Sequence, residues 1–165
     1  MNTLLISTYE LGHQPFGIAS PAAHLAAAGY EVQAIDTSVQ KLDETKIRGA
    51  EFIAISVPMH TALRLGSNLT SQIKSLNPNA AICFYGLYSS LNGAYLLEKG
   101  GADFIVGGEF EQGLVKIADY LSGKSKDLAG VRTKTKDNGL SLSKQKFLVP
   151  KRDILPPLEH YAKVE

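Results

Sequence analysis

Five short apolar runs, spaced along the first two thirds of the chain, limit what it can fold into. They are "TLLIST" (3–8), "YEVQAID" (30–36), "EFIAISV" (51–57), "AAICFYG" (80–86) and "ADFIVGG" (102–108). Four are nearly continuous in apolar character, as strands buried on both faces are. Only 30–36 alternates. Helical patterns separate them. "SPAAHLAAAG" (20–29) predicts a helix with Ser20 as N-cap, Pro21 in the first helical position and Gly29 at its end. Residues 43–50 predict a short helix. Leu65, Leu69, Ile73 and Leu76 recur at helical spacing until "NPN" (77–79) stops them, and further helices are expected over 91–101 and 111–123. Strands alternating with helices make an α/β domain. The fold expected is Rossmann-like (flavodoxin-like), a five-stranded parallel sheet of order 2-1-3-4-5 with helices on both faces. Ligands of such sheets bind beyond the carboxyl ends of the strands, where the strand order switches.

Residues 1–123 account for that domain. Residues 124–165 differ in composition: "GVRTKTKDNGLSLS" (130–143) predicts a hairpin turning at Asp137-Asn138-Gly139, and "LVPKRDILPPLEHYAKVE" (148–165) reads as an extended appendage or linker. The 165 residues suffice for one sizeable core, and a formal net charge of +1 gives no reason to expect a nucleic acid or an anionic membrane surface as partner. Apolar stretches fall short of the ~18 residues of a membrane span. The start lacks the pattern of a signal peptide, so a cytoplasmic protein is expected. Cys83, the single cysteine, lies inside an apolar run and reads as a core residue; one cysteine excludes an internal disulfide or an all-cysteine metal site.

The loop "YELGHQPFGIASP" (9–21) follows the first strand, at the expected ligand rim. A dinucleotide turn would need G-x-G-x-x-G here, and the loop offers only Gly12 and Gly17. A phosphoryl-accepting receiver domain would need an aspartate ending strand 3, where Ser56-Val57 stand. Gly123-Lys124-Ser125 ends a helix and lacks the upstream glycine of a phosphate-binding loop, and no G-x-S-x-G elbow occurs. The rim that remains is rich in small residues, among them Gly12, Gly17, Ser56, Gly86, Ser89, Ser90, Gly107 and Gly108. Small side chains at strand ends leave room for a broad, mostly uncharged cofactor, and they also serve simply as turn formers.

"QPFGIASPAAHLAAAGYEVQAID", "GLYSSLNGAYLLEKGGADFIVGGEFEQGLVKIADYL" and "VPKRDILPPLEHY" together resemble the N-terminal cobalamin (vitamin B12)-binding domain of cobalamin-dependent radical S-adenosylmethionine enzymes. Asp103, Gly108, Glu109 and Glu111 match that family's A-D-x-V-V-x-G-E-x-E stretch. The resemblance implies a corrin lying on the rim, with its nucleotide tail inserted between the sheet and its flanking helices. Its cofactor-binding positions are Gly12, His13, Gln14, Pro15, Phe16 and Gly17 after strand 1, and Ser56, Val57, Pro58, Met59 and His60 after strand 3. Gly86, Leu87, Tyr88 and Ser89 follow strand 4; Gly107, Gly108, Glu109 and Phe110 follow strand 5. Ser56 would offer its hydroxyl to the tail, and Gly107 and Gly108 would give it passage. The barrel's C-x-x-x-C-x-x-C loop is absent from this sequence. S-adenosylmethionine and a 4Fe-4S cluster would therefore belong to a separate radical S-adenosylmethionine barrel domain, the expected partner, and the abrupt end after "HYAKVE" reads as that of a fragment. No catalysis is expected from this chain alone.

Methionine-synthase-type domains carry D-x-H-x-x-G after strand 1, the histidine binding cobalt from below. Here Glu10, His13 and Gly17 stand in the same loop with each spacing one residue longer. His13 is thus a candidate lower ligand, with Glu10 placed to orient it, or else a loop residue near the corrin edge. His60 also faces the expected rim, and His24 reads as a packing residue of the first helix. The alternative to a cobalamin domain is a flavodoxin-like regulatory or interaction domain that binds no corrin.

Overall fold

A computed structural model describes residues 1–139 and 146–162. The strands are β1 (Asn2–Ser7), β2 (Glu31–Asp36), β3 (Phe52–Ser56), β4 (Ala81–Tyr85), β5 (Phe104–Val106) and β6 (Val131–Thr133). They form one sheet of order β2-β1-β3-β4-β5-β6. The first five pair in parallel, as their apolar runs predict, and β6 adds an antiparallel edge. The sheet thus has one strand more than expected. Residues 131–133 belong to it because Val131 is buried against the α1 face while Val106, Ile105 and Phe104 pair with 131–133 in register. The chain reverses at Lys134–Thr135, not at Asp137–Gly139: the Thr133 N–H donates to the Lys136 carbonyl and the Gly130 N–H to that of Asn138. The rest of that expected hairpin, 140–143, and the last residues of the tail, 163–165, lie outside the described residues.

Period-two alternation sorts the strand side chains into two cores. Leu5, Phe52, Ala54, Cys83, Tyr85 and Val106 face α1 (Phe16–Ala27) and α6 (Phe110–Leu121). Leu4, Ile6, Ile53, Ile55, Ile82 and Phe84 face the other side, covered by α2 (Glu44–Gly49), α3 (His60–Leu76), α4 (Leu87–Leu91) and α5 (Gly93–Glu98). On the α6 side the helix approaches so closely that a Cβ on Gly113 would stand 2.5 Å from Val106 Cγ1. Cys83 is fully buried, a core residue as read, and burial pushes its thiol up.

Helix starts differ from expectation in three places, and each difference reshapes the rim. α1 begins at Phe16, four residues before Ser20, and carries Pro21 in its interior. Proline has no N–H for the carbonyl four residues back, which is that of Gly17. The buried Tyr85 hydroxyl donates to it instead, at 2.7 Å. Ser20, freed from capping, donates at 2.7 Å to Glu111 Oε1 on α6 and ties the two helices together. The expected helix over 91–101 starts earlier, at Leu87, and breaks into α4 and α5 at Asn92. α3 begins at His60 itself.

Residues 146–162 lie along α1 and the β1–α1 loop. The Lys151 N–H donates to the Ala19 carbonyl, the Ala162 N–H to the Gly12 carbonyl, and the Gln14 side-chain amide to the Pro156 carbonyl. Leu155 joins the α1-side core. Tyr161 is buried and donates at 3.0 Å to the Asp36 carboxylate at the end of β2.

Candidate functional site

The switch in strand order falls between β1 and β3, whose outer neighbours, β2 and β4, are reached in opposite directions. Beyond their carboxyl ends the chain leaves a shallow dish of about 360 Å³. The β1–α1 loop and first turn of α1 contribute Glu10, Phe16 and Gly17. Ser56 and Pro58 come from the end of β3, Gly86 and Leu87 from the end of β4, and Gly108 and Phe110 from the end of β5. All four rim loops therefore meet in it. A depression of comparable volume at the opposite edge, around Asn2, Gln33 and Lys46, gathers only the β1, β2 and α2 region and no strand carboxyl ends.

Small residues make the dish. A Cβ on Gly17 would stand 2.8 Å from Ser56 Oγ and 3.5 Å from Glu10 Oε2. Gly86 sits at φ +100°, a conformation that favours glycine, and a Cβ there would press on the Val57 carbonyl. Ser56 continues the Phe52–Ala54 row of β3, so its side chain faces α1. Behind it lies the hydroxyl of the fully buried Tyr85, whose ring stacks at a tilt on Phe110, centroids 5.1 Å apart. Burial pushes the Tyr85 phenol well up, and a hydrogen bond from Ser56 opposes this. Phe16 and Leu87 are exposed and give the dish an apolar collar.

Glu10 is the one ionisable residue lining the dish among the described residues. Its Oε1 accepts the Phe16 N–H at 3.1 Å, which caps α1 from outside, since Pro15 at the N-cap offers no side-chain acceptor. Its Oε2 is buried and has no hydrogen-bond partner. Burial raises its pKa from the ordinary 4.5; the Gly17 and Phe16 N–H groups oppose this, nearby Asp36 adds to it, and His13 slightly offsets it. Both carboxylate oxygens thus face the start of α1, and Glu10 does not orient the His13 ring.

Of the residues expected at the rim, Phe16, Gly17, Ser56, Pro58, Gly86, Leu87, Gly108 and Phe110 line the dish. Gly12, His13, Gln14 and Pro15 do not. Gly12 and Gln14 are engaged by the 146–162 segment, Gln14 also through Arg152 at 2.8 Å, while His13 is exposed. Val57 is buried and holds β3 to the β4–α4 turn through both its backbone groups. Met59 is the N-cap of α3, and the His60 ring meets Tyr88 edge to face outside the dish. Ser89 is fully buried, its hydroxyl donating to the Gly86 and Val106 carbonyls, which consumes it in holding the β4 and β5 ends together. Gly107 opens into a separate cavity of about 230 Å³ shared with Ser90 and Arg132, and Glu109 is the exposed N-cap of α6. His24 packs as expected, its ring against the Ser20 and Lys146 carbonyls. No three His, Cys, Asp or Glu side chains converge on a metal-sized site among the described residues. None of their helices is long and apolar enough to cross a membrane. Sequence reasoning missed Glu10 as a member of the dish; its signal was an uncapped helix start seen too late in the chain because of Pro21.

A family model described as the B12 binding domain matches residues 2–118. The chain belongs to this B12-binding domain family. Among solved structures it is similar to the radical S-adenosylmethionine methyltransferase TsrM from Kitasatospora setae, in a structure with cobalamin and a 4Fe-4S cluster bound. The identity is 19% and the TM-score 0.68 over 82% of this chain and 29% of that one. It is also similar to the apo cobalamin-dependent S-adenosylmethionine radical enzyme OxsB, at 15% identity and TM-score 0.65 over 99% of this chain and 25% of that one. A CheY-like response-regulator receiver domain from Methanospirillum hungatei shares the fold more loosely, at 17% identity and TM-score 0.50 over 74% and 94% of the two chains. The B12-binding chain spans less than a third of the length of the two radical enzymes. No curated protein matches it in sequence.

Proposed function

We propose that this B12-binding domain holds cobalamin at the dish and works with a radical S-adenosylmethionine barrel of the methyltransferase type. The observation that carries the proposal is the convergence of all four rim loops on one apolar, small-residue depression at the topological switch. Two features of that depression suit a large ligand with a polar tail. A cradle at Gly17 and Gly86 would be filled by any Cβ, and a buried carboxylate oxygen has no partner of its own. Gly17, Ser56, Gly86 and Gly108 would admit the nucleotide tail, Ser56 offering it a hydroxyl. Phe16, Leu87 and Phe110 would meet the corrin with apolar surface. When bound, cobalamin supplies a cobalt centre that can accept and release a methyl group, chemistry no side chain provides. The residues of this chain bind and orient it and keep water from its tail; S-adenosylmethionine and the 4Fe-4S cluster would be handled by the barrel.

His13, being exposed and outside the dish, has no part in this reading. The test is the visible spectrum of the protein after incubation with hydroxocobalamin and gel filtration. Retention of a corrin spectrum near one equivalent supports the proposal, with the same band positions in His13→Ala. A colourless protein would instead favour a flavodoxin-like domain without cofactor.

A further inference from the structure

Resting on the cobalamin reading above, one residue of the dish can be assigned a job beyond capping α1. Glu10 divides its two oxygens. Oε1 is spent on the Phe16 N–H at 3.1 Å. Oε2 is buried in the wall of the dish with no hydrogen-bond partner. A buried carboxylate oxygen left unpaired is a standing cost to the fold. The Gly17 and Phe16 N–H groups favour its charged form, but Asp36 is also an acid, Ser56 Oγ lies beside Tyr85, and no lysine or arginine lines the dish among the described residues. Gly17 keeps the oxygen open to the dish, because a side chain there would be wedged between Ser56 Oγ and Glu10 Oε2.

We propose that Glu10 reads the bound ligand, Oε2 accepting a hydrogen bond from a neutral N–H or O–H donor. Cobalamin presents two sources of such a donor, the carboxamide side chains of the corrin and the ribose hydroxyl of the tail.

Glu10→Gln separates the contact from the fold. A glutamine retains an oxygen for the Phe16 N–H and turns an uncharged NH₂ group toward the dish, so a ligand donor loses its charged acceptor. Hydroxocobalamin and dicyanocobinamide, which has the corrin amides but no ribose, base or base-linked phosphodiester, are titrated into the wild-type chain and the variant, and unfolding temperatures are measured without ligand. The expected result is a cobalamin affinity weaker by about ten- to a hundredfold in the variant, the range of a hydrogen bond to a charged group, with an unfolding temperature at or above wild type. An equal loss for cobinamide identifies a corrin amide as the donor, and a loss confined to cobalamin identifies the ribose hydroxyl; either supports the proposal. Wild-type binding with an unchanged variant overturns this inference alone. A variant that loses binding and thermal stability together assigns Glu10 to the fold and also overturns it. A wild type that binds neither ligand overturns the cobalamin reading and this inference with it.

Discussion

Tyr85→Phe is expected to destabilise the fold by stranding the Gly17 carbonyl of α1, sixty-eight positions away in sequence. Pro21 lies in the interior of α1 and has no N–H to give the Gly17 carbonyl. Tyr85 fills that role with a 2.7 Å hydrogen bond from a fully buried hydroxyl. The phenylalanine variant keeps the ring and its 5.1 Å pairing with Phe110, so the perturbation isolates the hydroxyl. Removing one partner of a buried hydrogen bond costs about 1–3 kcal/mol. At about 2–4 °C per kcal/mol for a domain of this size, the melting temperature should fall by roughly 2–12 °C. Urea unfolding monitored by circular dichroism gives the free energy directly. The sharper test is Pro21→Ala, which restores the helical donor. In the Tyr85→Phe background it should recover about 1 kcal/mol relative to its effect in the wild type. A loss under about 0.5 kcal/mol for Tyr85→Phe, or an equal effect of Pro21→Ala in both backgrounds, would refute the assignment.

Gly113→Ala should cost roughly 1–3 kcal/mol, because its Cβ would meet Val106 at 2.5 Å; the denaturation midpoint reads it. Glu10 has its pKa raised in the fold, so its protonation stabilises the folded chain relative to the unfolded one; that contribution is present below pH 4.5 and lost as pH rises through the folded value. Ligand-free Glu10→Gln should therefore melt above wild type at pH 7, with the gap closing toward pH 4; Asp36 enlarges the gap and His13 reduces it. Tyr161→Phe removes the bond to Asp36 and should speed hydrogen exchange at the Lys151 and Ala162 amides without moving the global midpoint by more than about 1 kcal/mol. Cys83, buried and with its thiol pushed up, should react with a thiol reagent only on unfolding.

Strand positions and the parallel order were legible because both faces of β1, β3 and β4 are covered, and continuous apolar runs follow from that burial. The place of the dish was legible for the same reason, since strand ends fix where the loops go, but not which loop residues would line it. What misled was proline at 21. Local propensity reads Ser20-Pro21 as a helix start, yet Tyr85, sixty-four positions away, supplies the missing hydrogen bond and lets α1 begin at Phe16. A compensation so distant in sequence leaves no local trace. The shift moved Phe16 and Gly17 from loop to helix, brought Glu10 into the dish as an outside cap, and left His13 exposed. Ser89 shows the converse limit. Its small, polar character at a strand end suited a ligand rim, but the hydroxyl is spent on two buried carbonyls. β6 and the 146–162 segment were read as an appendage because polar, proline-rich sequence carries no periodicity, although a few residues, Val131, Leu155 and Tyr161, suffice to seat them.

The central claim is that cobalamin occupies the dish at the carboxyl ends of β1, β3, β4 and β5. The most direct measurement is a map of backbone amide chemical shifts on adding hydroxocobalamin to the ¹⁵N-labelled protein. The account predicts the largest changes at Gly17, Ser56, Gly86, Gly108 and Phe110. Changes centred instead on Asn2, Gln33 and Lys46 at the opposite edge, or none at saturating ligand, would contradict it.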